Sequence, residues 1–202
     1  IRTDLALEAK ESCEAKDGQL RGVRVTEQED TEREIYTTTV VIETENGARV
    51  MGKPVGTYIT LEAPNMSSPD EDYHAEISEA LAVHIRALMR TSDDKRKSVL
   101  VVGLGNREVT PDALGPEVVG NLRITRHMIQ VYGRVSAELQ QAAEVSALVP
   151  GVMAQTGMET LEIIKGVVDE THPQLVIVID ALAARSTKRL NRTIQITDTG
   201  IH

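Results

Sequence analysis

Hydrophobic and polar positions change rhythm twice along the chain. Residues 5–16, LALEAKESCEAK, set Leu and Ala at helical spacing among charges, which predicts a short amphipathic helix. From residue 20 to 61 the texture becomes β-branched. IYTTTVVIET reads as a strand, Glu45, Asn46 and Gly47 as a turn, and ARVMGKPVGTYITLEAP as resumed alternation. This predicts an antiparallel hairpin turning at Gly47, with a third strand over residues 58–61. Residues 64–70 form a loop, with Pro69 an early helix position before DEDYHAEISEALAVHIRALMR. In that helix Ile77, Leu81, Ile85 and Leu88 share one stripe, and residues 91–97 make a solvated connector.

Beyond residue 97 the rhythm is that of an α/β protein. SVLVVGLGN is a strand apolar on both faces, as a parallel sheet requires. Thr110, Pro111 and Asp112 supply the N-cap, first-turn proline and first-turn acid of a following helix. Residues 134–146 read as helical or partly irregular. TGMETLEIIKGVVDETHP is a helix stopped near His172 and Pro173, QLVIVIDALAARS a second fully buried strand ending at Asp180, and RTIQITDTGIH a further strand. The alternation predicts an α/β fold: a three-layer sandwich on a mostly parallel or mixed sheet, within one domain over 1–202. Residues 20–63 form a small subdomain containing the β-hairpin, and 98–202 the catalytic core.

Composition narrows the field. With no Trp or Phe, the core is built from Val, Ile, Leu, Ala and Met. A formal charge of -9 argues against direct nucleic-acid binding, because neutralising phosphates takes surplus Lys and Arg. The single Cys13 forms no internal disulfide, which fits a reducing cytosol. No stretch has the length and apolarity of a membrane span, and Ile1, Arg2, Thr3 and Asp4 show no signal-peptide pattern. The expectation is a soluble intracellular protein.

In open α/β sheets the working site lies beyond the carboxyl ends of the strands. Asp112 follows one buried strand by a short turn and Asp180 ends another. If the strands are neighbours, two carboxylates meet in one crevice and share a proton, since two acids at close range do not both ionise cheaply. The ionised partner then draws a proton from water while the protonated one polarises a carbonyl, which is peptide hydrolysis without a covalent intermediate. Gly103 and Gly105, with Asn106 beside them, supply close backbone approach, oxyanion donors or support. Plainer roles stand beside these: Asp112 as a first-turn helix acid, Asp180 as a cap on its own turn. A dinucleotide site is disfavoured because Glu108 stands where a third glycine belongs. Ser186 and Thr187 lack a nucleophile elbow, and His74, His84, His127, His172 and His202 show no metal-ligand spacing. His127 and His202 could still reach the crevice. Arg185 and Lys53 are candidates for holding an acidic side chain, Cys13 sits on a surface helix as a bystander, and the acidic surface residues of the first third are mostly a solvated face.

Several phrases together carry a resemblance: IRTDLALEA, GKPVGTYITLEAP, VLVVGLGN with VTPDALGP, PGVMAQTGMET with LEIIKGVV, and VIVIDALAARS with RTIQITDTGIH. End to end, the chain resembles the germination protease family of endospore-forming bacteria. The resemblance implies an aspartic-type endopeptidase of the spore core, in the cytoplasm, that cleaves small acid-soluble DNA-binding spore proteins at germination. It implies essential aspartates at Asp112 and Asp180, a fold similar to hydrogenase-maturation proteases, a homotetramer, and no cofactor or metal. It further implies a zymogen that cuts itself between Asp4 and Leu5. Family members continue past DTGIH with a Gly-rich segment and further helix, a part absent from this chain. A metal-assisted peptidase using the same carboxylates with His127, and a non-catalytic nucleotide-binding module, remain as alternatives.

Overall fold

The computed structural model describes residues 4–14, 21–89 and 98–201. Along the chain come α1 (Ala6–Glu14), β1 (Val23–Asp30), β2 (Ile35–Ile42), α2 (Glu45–Met51), β3 (Gly56–Glu62) and α3 (Glu71–Leu88). Then follow β4 (Ser98–Gly103), α4 (Leu114–Gly120), α5 (Arg126–Tyr132), α6 (Ala137–Gln141) and β5 (Glu144–Leu148). The chain continues with α7 (Met153–Thr156), α8 (Thr160–Thr171), β6 (Leu175–Ile179) and β7 (Thr193–Thr197). It divides into two compact units. A β-rich unit takes Ile1–Thr91 with Leu182–His202, and an α/β unit takes Ser92–Ala181.

The β-rich unit holds a four-stranded antiparallel sheet of order β1-β2-β3-β7. Its core forms two clusters. One joins Ala6, Val40, Ile42, Met51 and Tyr58; the other joins Ile35, Ile59, Leu61, Ala63 and Ile77. The antiparallel hairpin is real, but it turns at residues 31–34, where β1 meets β2, and not at Gly47. Glu45, Asn46 and Gly47 instead open α2, and part of the alternation after them is helical. Capping explains the difference: the Thr44 hydroxyl accepts from the Gly47 N–H at 3.1 Å, and Gly52 closes the helix in the left-handed region at φ 64°. Asp70, one residue after Pro69, caps α3 by accepting from the Tyr73 N–H. The first helix is no surface helix. Leu5 and Ala6 are wholly buried, as are Leu7 and Glu8 almost entirely, and the Cys13 thiol donates to the Val50 carbonyl at 3.2 Å.

The α/β unit holds a three-stranded parallel sheet of order β5-β4-β6. α4 packs on β4 and β6, and α5 on β5. β4 is buried along Val99–Gly103, as its unbroken apolar run requires. The expected second fully buried strand, β6, is an edge strand of half-buried residues with Val176 exposed. β5 falls where helix or irregular chain was expected; EVSAL is short and alternates too weakly to announce a strand, and α6 occupies only the residues before it. Where the sequence suggested one mixed sheet, the fold has two, because RTIQITDTGIH pairs antiparallel with β3. Among the described residues no helix is long and apolar enough to cross a membrane.

Candidate active site

The order β5-β4-β6 reverses direction at β4: the chain leaves β4 for one side of the sheet and returns to the other. In a parallel sheet such a switch opens a crevice beyond the carboxyl ends of the first and third strands, here β4 and β6. Gly103 lies in register with Ile179, and the Leu104 N–H donates to the Ile179 carbonyl at 2.8 Å. Asp180 is the next residue after Ile179, so it leaves the sheet beside the glycine turn.

Glycine makes this end of the sheet possible. A Cβ on Gly103 would stand 2.2 Å from the Gly115 carbonyl oxygen. One on Gly115 would meet the Leu104 nitrogen and oxygen at 2.5 and 2.4 Å and the Ile179 oxygen at 2.6 Å. The first turn of α4 therefore rests directly on the backbone that ends both strands. Gly105 adopts φ 109°, and a Cβ there would lie 2.0 Å from the Asp112 carbonyl oxygen.

Asp112 is folded back onto that turn. Residues Thr110–Asp112 form a 3-10 turn, and Thr110 is inside it instead of serving as a side-chain N-cap. The short turn aims the Asp112 carboxylate back at the glycine loop: the Asn106 N–H donates to Asp112 Oδ2 at 2.9 Å and to its carbonyl oxygen at 3.0 Å. Asn106 Oδ1 in turn accepts from the Glu108 N–H at 3.0 Å and from Gln155 Nε2 at 3.3 Å. Asp180 Oδ1 accepts from the Ala181 N–H at 2.8 Å. Both aspartates are half-buried. Of the backbone donors singled out by the sequence, the Asn106 N–H serves Asp112 itself. The Gly105 N–H makes no hydrogen bond among the described residues and stays available. Gln155 was not foreseen, and no spacing in the sequence connects it with Asn106.

The other candidates lie apart from this crevice or play structural parts. His127 is exposed, and among the described residues no three His, Cys, Asp or Glu come together in a way that could hold a metal ion. The suggested trio of Asp112, Asp180 and His127 is therefore not assembled. His202 lies outside the described residues. His172 ends α8 in a left-handed conformation, His74 Nε2 lies 2.9 Å from the Met66 carbonyl, and burial pushes His84 below its ordinary range. The Ser186 hydroxyl accepts from the Lys188 N–H, and the Lys53 ammonium stands 5.9 Å from the centre of the Tyr58 ring.

In the β-rich unit Asp4 pairs with Ala183, its N–H donating to the Ala183 carbonyl at 3.1 Å and its Oδ2 accepting from the Ala183 N–H at 3.0 Å. Glu8 departs from the expected solvated acidic face. Its carboxylate accepts from the Arg185 and Ser186 N–H groups at 2.8 and 2.9 Å and lies 3.5 Å from Arg189. Arg189 also meets Glu11 and Glu62 at 2.7 and 2.9 Å. The bond to Glu11, and then that to Glu62, pushes the guanidinium above its usual range, and Arg189 pulls Glu11 below the usual carboxylate range. Arg185 contributes its backbone here, and with Lys188 and Ser186 it lines an open cavity of about 790 Å³ that Glu8, Glu11, Ser12, Glu62 and Arg189 complete.

A family model described as "Germination protease" matches residues 2–202. A germination protease of Caldanaerobacter subterraneus subsp. tengcongensis is 50% identical over 100% of this chain and 60% of its own length. One from Clostridium perfringens is 43% identical over 100% of the chain and 61% of its own length. One from Geobacillus sp. is 45% identical, with 55% of its length covered. The chain thus spans a little over half the length of these relatives.

Proposed function

The chain belongs to the germination protease family, and from that premise we propose that it is the part of an endopeptidase that carries the hydrolytic aspartates, Asp112 and Asp180. One of the pair, ionised, takes a proton from a water molecule. The water oxygen bonds to the carbonyl carbon of the peptide. The other, protonated, hydrogen-bonds the carbonyl oxygen, and the Gly105 N–H faces the negative charge that develops there. Collapse breaks the C–N bond, and the abstracted proton passes to the leaving nitrogen. Neither cofactor nor metal has a part in these steps. The substrates are the small acid-soluble DNA-binding proteins of the spore, degraded in the spore cytoplasm at germination, and the working assembly is a homotetramer. The same reading includes a zymogen that cuts itself between Asp4 and Leu5, and a likeness of the α/β unit to hydrogenase-maturation proteases.

The observation that carries the proposal is the register of β4 and β6, with Leu104 bonded to Ile179 and Asp112 tied to Asn106 at the same strand ends. The test is Asp112→Asn and Asp180→Asn. Asparagine keeps size and hydrogen bonding but cannot share the proton, so cleavage of a peptide containing Asp-Leu-Ala should fall by about 10³-fold or more, with melting unchanged. An Asp180→Asn protein that cleaves at the wild-type rate ends the proposal. Loss of wild-type cleavage in chelator would reassign the carboxylates to a metal.

A further inference from the structure

The Asp4–Leu5 bond is gripped from several sides, all within the β-rich unit. Gln195 on β7 spans it with one carboxamide: its Nε2 donates to the Asp4 carbonyl oxygen at 2.9 Å, and its Oε1 accepts from the Ala6 N–H at 2.7 Å. Asp4 is paired through backbone and side chain with Ala183, and Glu8 sits on the Arg185 and Ser186 N–H groups beside Arg189. Leu5 and Ala6 have no exposed surface, and Ala6 already begins α1. Proteolytic cleavage needs backbone that is accessible and free to extend, which loop tips offer and docked helices do not. Here Leu5 is buried and Ala6 is both buried and helical, so the backbone after the bond is neither accessible nor extended.

We propose that Gln195 and Glu8 hold the Asp4–Leu5 bond in a docked, uncleavable form, so that undocking of residues 4–8 sets the rate of self-processing. The inference rests on the self-processing reading above. It is separable from that reading, because docking also governs access by any other peptidase. When opening is fast relative to cleavage, the cutting rate follows the population of the open form. Each lost hydrogen bond then raises the rate several-fold. The two contacts made by the Gln195 carboxamide together correspond to about 5- to 150-fold, and the buried Glu8 charge adds an effect of its own.

The experiment uses the whole chain as wild type, Gln195→Met and Glu8→Gln, with folding checked by circular dichroism. Mass spectrometry follows loss of the residues before Leu5, first with the protein alone and then with an added endopeptidase specific for acidic residues. The expected result is faster appearance of Leu5 as the first residue in both variants, about 5- to 150-fold in Gln195→Met, under both conditions. Placing Asp180→Asn in the Gln195→Met background should stop the cut in the protein alone and leave the cut by the added enzyme. Wild-type and variant chains cut at equal rates by the added enzyme overturn the docking proposal. Slower self-cleavage in Gln195→Met also overturns it, since the carboxamide would then position the bond for attack. Variants that open to the added enzyme while no chain cuts itself support the docked segment and refute the self-processing reading.

Discussion

The β-rich unit buries residues from α1, β2, β3 and α3 in two side-chain clusters, whereas the α/β unit buries β4 and leaves β5 and β6 half-covered. Its surface shows Val131, Tyr132, Val135, Val149, Met153, Met158, Leu161 and Val176. The charges differ in the same way. Arg189 gathers Glu8, Glu11 and Glu62 in the first unit, while the second holds its charges in separate pairs, Arg107 with Glu117 and Arg134 with Glu144. One unit gathers charge at a single arginine and packs two side-chain clusters; in the other, main chain rests on main chain at the ends of β4 and β6. The proposed chemistry sits on the second kind of scaffold, where glycine lets strand ends and a helix start approach within contact distance.

Three measurements sharpen or break this contrast. The largest effect is expected from Leu61→Ala, which empties a wholly buried position in the β-rich unit. It should cost about 2–5 kcal/mol in urea unfolding, while Leu161→Ala on the exposed side of α8 should stay within about 0.5 kcal/mol. Equal costs at the two sites would erase the difference in burial. Gly115→Ala comes next, because its Cβ would press on Leu104 and Ile179 backbone that cannot swing aside. A loss of about 1–3 kcal/mol is expected, together with reduced peptide cleavage through displacement of the Asp180 strand end. A neutral Gly115→Ala would show that this scaffold has slack. The smallest effect is electrostatic. Glu11 is held below its ordinary value of 4.5 by Arg189, so its contribution is present above that pH and is lost as pH falls through the lowered value. With half the side chain exposed, the contribution is under about 1 kcal/mol. The stability difference between wild type and Glu11→Gln should therefore shrink as pH falls from 7 through the lowered value; a difference that persists in stronger acid would mean packing, not charge, carries the effect.

What the sequence disclosed follows from how local each signal is. β4 and α8 were legible because an unbroken apolar run and a capped 3.6 period are written in adjacent residues. Asp112 and Asp180 were singled out on the general rule for strand ends, and the register of Gly103 with Ile179 brings both to one end of one strand pair. The turn at Gly47 was misread because Thr44 and Gly52, the residues that decide for a helix, look like loop residues beside a β-branched run. β7 was assigned to the wrong sheet because its partner, β3, is separated from it along the sequence by the entire α/β unit. The acids of the first third were expected to be mostly solvated, and Glu8 is an exception; its partners Arg185, Ser186 and Arg189 are equally remote along the chain, so no window of sequence could reveal them.

The pairing of Tyr58 with Thr197 and of Glu62 with Thr193 also has a consequence for synthesis. On the ribosome, β3 emerges with one edge bare and must wait for all of Ser92–Ala181 before β7 arrives. At about 5–20 residues per second that wait is on the order of ten seconds. The nascent α/β unit is continuous and has time to fold first, while the other half stands open as a strand edge of the kind that invites association with neighbouring chains.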